Sequence, residues 1–226
     1  MALSEEARAR LMPQAAEIIG RYPKARSALL PLLHLVQSQE GYVSQDGIEF
    51  CAEQLGLTEA DVTGVASFYT MFKRKPAGDY HVGVCTNSLC AVMGGDAIFA
   101  DLQEHLGIGN DETTADGKVS LEHLECNAAC DYAPVVMVNW EFFDNMTPSK
   151  ARDLVDDLRS GTPVSPTRGA PRLVTWKQTG QILAGFGDDQ GAEGNTAGDP
   201  TLAGLRSAKQ HGWTPDGGSG AAEGTQ

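Results

Sequence analysis

From Ser4 to Phe72 apolar residues recur at spacings of three and four, as in Leu29, Leu32, Leu33 and Val36 and again in Val62, Val65 and Ala66. That period puts them on one face of a helix, and the stretch is predicted to form a small helix bundle. Its punctuation agrees. Gly41 and Gly56 stand where helices stop, and Thr58-Glu59-Ala60-Asp61 has the form of a capping box in which Asp61 reaches back to the Thr58 amide. Pro13 and Pro31 each predict a helix start, kink or end.

After Pro76-Ala77-Gly78-Asp79 the pattern changes, which places a domain boundary near Pro76. Tyr80 to Val84 reads as a strand that delivers Cys85 to its carboxyl end. Gly94 to Gly107 carries Ile98, Phe99, Leu102 and Leu106, a helical stripe stopped by Gly107, and Gly109 to Lys118 reads as an exposed polar loop. Val119 to Glu125 is a second strand, ending at Cys126. Pro134 to Val138 and Glu141 to Phe143 are strands that turn at Asn139-Trp140, and Pro148 to Arg159 is a last helix stopped by Gly161. This order predicts a short mixed sheet with a helix on each side.

The composition then shifts: thirteen of the 26 glycines fall in residues 169–226, with few large apolar side chains to bury. The expected division is therefore residues 1–77, a helical domain; 78–168, an α/β domain; and 169–226, a Gly-rich extension, mostly irregular or partner-bound. Leu173, Val174, Trp176, Ile182, Leu183 and Phe186 are its apolar exceptions, expected to anchor it on the surface of a neighbouring chain.

Charge narrows the functions available. With 17 Lys and Arg against 30 Asp and Glu the net charge is -13, and an acidic chain lacks the surface that holds a phosphate backbone, so nucleic acid is not an expected partner. The best apolar stretch, Ala28 to Val36, is interrupted by Pro31 and His34 and falls far short of the roughly 18 residues of a spanning helix. No direct membrane insertion is expected. The acidic, amphipathic start has neither the basic nor the apolar region of a secretory signal, which points to a reducing cytoplasm.

In that compartment five cysteines read as ligands or catalysts rather than disulfides. Cys85 and Cys90 form a C-x4-C pair and Cys126 and Cys130 a C-x3-C pair, each opening just after a predicted strand. The ends of two neighbouring strands lie about 5 Å apart, so both loops can converge on one metal group. The intervening Thr86, Asn87, Ser88, Ala128 and Ala129 are small enough to let backbone amides donate to sulfur. Four thiolates suit tetrahedral zinc, which would make the chain an interaction scaffold, or a [2Fe-2S] cluster, which would make it a one-electron carrier. Thioredoxin-type catalysis uses C-x-x-C, and neither pair has that spacing.

The remaining candidates carry less. Cys51 reads as a small buried hydrophobe, and His34, His81, His105, His123 and His211 share no ligand spacing and read as surface or strand residues. Lys73-Arg74-Lys75 reads as a solvated helix end, with partner docking as the alternative. Gly94-Gly95-Asp96 is a helix start, since no phosphate-binding pattern accompanies it. No catalytic triad or carboxylate pair is apparent, so no catalytic residue is assigned.

Ser67 to Phe72, Val84-Cys85-Thr86-Asn87, Gly94-Gly95-Asp96, and Glu125-Cys126 through Cys130 followed by Ala133-Pro134 together resemble the thioredoxin-like [2Fe-2S] subunits, E type, of bacterial NADH:quinone oxidoreductase (respiratory complex I). The resemblance spans about Ala25 to Arg168. It implies an α+β chain: an N-terminal helical bundle, then a thioredoxin-like α/β ferredoxin domain, with a Gly-rich C-terminal tail that family members commonly lack. It also implies that Cys85, Cys90, Cys126 and Cys130 hold one [2Fe-2S] cluster. FMN and NADH would sit on a partner subunit of the F type, packed with others in the peripheral arm on the cytoplasmic face of the membrane. Related chains serve as diaphorase subunits of NAD-linked hydrogenases and formate dehydrogenases, an alternative that sequence separates poorly. Many family members carry glycine where this chain has Ala128; were a positive φ required there, alanine would cost about 1 kcal/mol.

Overall fold

The computed structural model describes residues 3–187 and 197–213. Its first half is helical, as the apolar spacing predicts. Helix α1 (Glu5–Gly20) starts at Ser4, whose Oγ accepts the Ala7 amide, and buries Ala7, Leu11, Ala15 and Ile18 on one face. It continues through Pro13, which is therefore neither its start nor its end. Pro13 and Ala9, one turn earlier, are both exposed, so the carbonyl freed by the missing proline N–H is open to water.

A 3-10 turn (Ala25–Ala28) leads into α2 (Leu29–Glu40), where Pro31 falls in the first turn and forfeits no intrahelical bond. Helix α2 is buried nearly all round, as the central helix of a bundle must be. Gly41 ends it in the left-handed region, φ 84, and α3 (Gln45–Leu55) ends likewise at Gly56. Helix α4 (Glu59–Phe68) begins with the expected Thr58–Asp61 capping box. One apolar core joins these helices through Leu32, Leu33, Val36, Ile48, Phe50, Val62 and Phe72.

The second half is built on a five-stranded sheet: β1 (Tyr80–Cys85), β2 (Glu112–Thr113), β3 (Val119–Leu124), β4 (Val136–Val138) and β5 (Glu141–Phe143), in the order β2-β3-β1-β4-β5. Strands β1 and β3 are parallel and all other pairs antiparallel. The segment Gly109 to Lys118 is thus not all loop, because Glu112–Thr113 pair with Leu121 and Ser120 at the sheet edge. Asn139 and Trp140 form the expected two-residue turn, both at positive φ, the geometry that matches the twist of a tight hairpin.

Between β1 and β3 the chain forms the short α5 (Ser88–Val92) and α6 (Gly95–Leu106); after β5 it forms α7 (Pro148–Ser160). Here the structure corrects the expected layering. Helices α6 and α7 lie side by side on one face, burying Ile98, Leu102, Leu154 and Val155 against Val82, Val84, Val119 and Leu121. His105 on α6 meets Asp156 on α7 at 2.8 Å, and Arg152 pairs with Asp101. Alternation along β1 sends His81, Gly83 and Cys85 to the opposite face, which is left for the cysteine loops and the bundle.

The extension is also more ordered than its composition suggests. Helices α8 (Trp176–Leu183) and α9 (Asp199–Gln210) lie within it. Helix α8 packs on α2 of the same chain. Trp176 is buried, donates from Nε1 to the Gly41 carbonyl at 2.8 Å and stands against His81 and Trp140, while Gln181 donates to Ser38. Residues 188–196 and 214–226 of that extension lie outside the described residues.

Lys73-Arg74-Lys75 is not a helix end, since α4 stops at Phe68. Lys73 instead ties the halves together: its Nζ donates to Glu122 on β3 at 2.5 Å, in a largely buried pair to which His81 adds a bond of 2.8 Å. Burial alone would raise the Glu122 carboxyl, but the bonds from His81 and Lys73 hold it below the usual range, and burial pushes the His81 imidazole below its ordinary value.

Candidate metal centre

Strands β1 and β3 run parallel and in register, Cys85 beside Leu124, so both chains leave the sheet at the same end. Cys85 is the last residue of β1, Cys90 lies in α5, Cys126 follows β3 by two residues, and Cys130 opens a 3-10 turn (Cys130–Tyr132). The two loops are pinned together. Asn87 donates from Nδ2 to the Glu125 carboxylate at 2.7 Å and caps α5 with its Oδ1, and the Thr86 amide donates to the Leu124 carbonyl.

Glycine makes the first loop possible. A Cβ on Gly95 would lie 2.4 Å from the Cys85 carbonyl oxygen, so only glycine lets α6 start that close to the Cys85–Cys90 turn. In the second loop Ala128 takes φ 54, the left-handed region that favours glycine, and its amide donates to Cys126 Sγ at 3.4 Å.

All four predicted cysteines line one depression, together with Asn127, Ala129 and Val135. Cys85 and Cys90 are buried, among Ala129, Ala133, Val135 and Met137, whereas Cys126 and Cys130 are exposed. The thiols stand two by two. Cys126 and Cys130 are 3.5 Å apart, sulfur to sulfur, and the Cys85 thiol is near enough to Cys90 to push its pKa up. Among the described residues no three Cys, His, Asp or Glu side chains gather as a single ion would require. Two pairs around a shared depression suit a group with two metal atoms, each taking two thiolates.

The electrostatics agree with a cationic guest. Burial pushes the Cys90 thiol up to about 11, helped by the neighbouring Cys85 thiol, and contact with Cys126 raises Cys130. A metal cation bound there would offset both effects by taking the thiols as thiolates. The buried Nδ2 of Asn127 has no hydrogen-bond partner among the described residues, a donor waiting at the wall of an all-sulfur site. The residues therefore fit a [2Fe-2S] cluster. Sequence reasoning missed Asn127 and the Asn87–Glu125 clasp; an amide side chain between two ligands was the signal at hand. Cys51 is elsewhere, fully buried in the bundle, where burial pushes its thiol up to about 12.

Known proteins match this arrangement. The family profile of the thioredoxin-like [2Fe-2S] ferredoxins matches residues 15–159. The E-type subunit of the NADH-quinone oxidoreductase of Mycobacterium bovis is 66% identical over 204 residues, covering 90% of this chain and 81% of that protein. The corresponding E-type protein of Rickettsia bellii is 42% identical over 149 residues, 65% of this chain and 89% of its own. The mycobacterial match therefore reaches into the extension after Arg168, whereas the rickettsial protein is nearly used up without covering a third of this chain. Among solved structures, an NAD+-reducing [NiFe]-hydrogenase in the air-oxidised state superposes with a TM-score of 0.54 at 20% identity, over 60% of this chain and 23% of that longer one, a likeness of fold. With four paired thiols at the ends of two parallel strands and these relatives, the chain belongs to the thioredoxin-like [2Fe-2S] ferredoxin family, among the E-type subunits of NADH-quinone oxidoreductases.

Proposed function

We propose that this chain is an electron-carrying subunit of an NADH-quinone oxidoreductase in which Cys85, Cys90, Cys126 and Cys130 ligate one [2Fe-2S] cluster. The observation that carries this reading is the convergence of two thiol pairs from the adjoining ends of β1 and β3 on one depression. When bound, such a cluster supplies a reversible one-electron step. The chain does the rest. Cys85 and Cys90 hold the buried side, Ala129, Val135 and Met137 exclude water there, and the Ala128 amide of the second loop donates to Cys126 Sγ.

Cys126 and Cys130 hold the open side, through which the chain passes single electrons to and from the FMN of an NADH-binding partner subunit of the F type. The exposed Leu89, Val92 and Met93 beside Cys90 support such an approach. FMN and NADH belong to that partner, so this chain alone does not oxidise NADH. No helix among the described residues is long and apolar enough to cross a membrane, and the chain is held at the cytoplasmic face through the translocating complex. In the same reading residues 1–77 form a helical scaffold, 78–168 the cluster domain, and 169–226 an extension whose first part closes the scaffold.

Anaerobic purification with iron and acid-labile sulfide analysis, then EPR after dithionite reduction, tests this. About two irons, two sulfides and one spin-half signal per chain are expected. About one zinc with no sulfide would replace the carrier by a structural site. Cys126→Ser and Cys130→Ser, at exposed thiols the fold tolerates, should each lose most of the iron while keeping the helical circular dichroism.

A further inference from the structure

Asn127 follows Cys126 directly and lines the four-cysteine depression. Its side-chain nitrogen is shielded from water and donates to no acceptor among the described residues. A buried amide N–H without a partner is costly, and this residue lines the depression that the four thiols share. The neighbouring Ala128 amide already donates to Cys126 Sγ, so one N–H of this loop is turned to sulfur.

Building on the cluster reading above, we infer that Asn127 is a positioning residue whose side-chain amide donates a hydrogen bond to a sulfur of the bound cluster and so raises its reduction potential. Reduction adds one electron, supplied by the partner flavin or by dithionite in the test; no bond is made or broken and no proton moves. The added negative charge spreads over sulfur, so a donor stabilises the reduced form more than the oxidised one. A neutral amide does this without adding a charge to a loop whose carboxylate, Glu125, is already engaged by Asn87.

The test is an EPR-monitored redox titration of the intact chain beside Asn127→Leu, which keeps the approximate volume without the donor, and Asn127→Asp, which keeps the shape and replaces the donor by an acceptor. At the wild-type midpoint the reduced-to-oxidised ratio should fall about tenfold in Asn127→Leu, equivalent to about 59 mV for one electron, and further in Asn127→Asp. Pulsed EPR of wild-type protein labelled with 15N-asparagine and exchanged into deuterated water should show an exchangeable deuteron and a side-chain 15N coupled to the reduced cluster.

An unchanged potential in both variants with full iron and sulfide overturns the inference and leaves the cluster reading intact. So does the absence of those couplings in the wild type, a result that needs no variant to fold. A wild-type chain without iron and sulfide would instead overturn the cluster reading itself.

Discussion

A methyl group on Gly95 would press on two backbone carbonyl oxygens, at 2.4 Å from Cys85 and 2.9 Å from Cys90, and neither can rotate away as a side chain would. Gly95→Ala is therefore expected to destabilise the chain by about 1–3 kcal/mol and to lower its iron content, because α6 must move away from the loop that carries two ligands. Denaturant unfolding and iron analysis of the same preparation check both. The contrast with Gly94 is instructive. Nothing lies within 4 Å of a Cβ there, and its need for glycine comes from φ 113 alone. The dipeptide was legible as a helix start, but which glycine keeps the backbone clear of the cysteines was not. The four thiols of the depression were legible as a set because they fall in two pairs at short spacing, each at or just after a strand end. Asn127 was not, because asparagine is common in loops and only the fold buries its amide.

Helix α8 shows how far an element can depart from what its surroundings in sequence suggest. Set among glycines, it carries a full capping box at Thr175, with Gln178 reaching back, and its Trp176 is almost wholly buried. Trp176→Ala should cost about 3–5 kcal/mol, the range for truncating a buried aromatic, and a chain ending before Thr175 should be destabilised at least as much. A chain ending at Gly187 should instead unfold within about 0.5 kcal/mol of the full chain, since α9 buries no residue and meets the cluster domain through exposed side chains such as Thr201, which donates to Asp131. Thermal and urea unfolding of the three chains separates these outcomes. The helices of the bundle were legible because caps, glycine stops and the three-four period all agreed. The side on which α6 and α7 pack was not legible, because each has one apolar face and that pattern names no partner.

At the scale of the whole molecule, burial of histidine makes stability depend on pH. His34 lies in the bundle core against Phe72, its Nδ1 without a hydrogen-bond partner, and burial lowers its pKa from 6.5 to about 4. Between those values the unfolded chain binds a proton that the folded chain does not, so stability is full above pH 6.5 and falls as the pH drops toward 4. The loss from this group is roughly 2 kcal/mol between pH 7 and pH 5. His34→Leu should show a flatter dependence by about that amount, measured by urea unfolding at the two pH values. An equal pH dependence in variant and parent would show that His34 is protonated without cost.

The sequence by itself determined the local features: the caps and glycine stops of most bundle helices, and the two short cysteine spacings at or just after the ends of two strands. These depend on residues a few positions apart, whose interactions are set by backbone geometry and side-chain chemistry whatever the rest of the chain does. Only the tertiary structure decided that both sheet helices share a face, that Lys73, His81 and Glu122 form a buried cluster, that the extension returns to its own bundle through Trp176, and that the Asn127 amide is walled in beside the cysteines. Each of these is a choice among apolar faces or polar partners far apart along the chain. Burial makes that choice by the total area and hydrogen bonds satisfied at once, a sum that no local pattern contains.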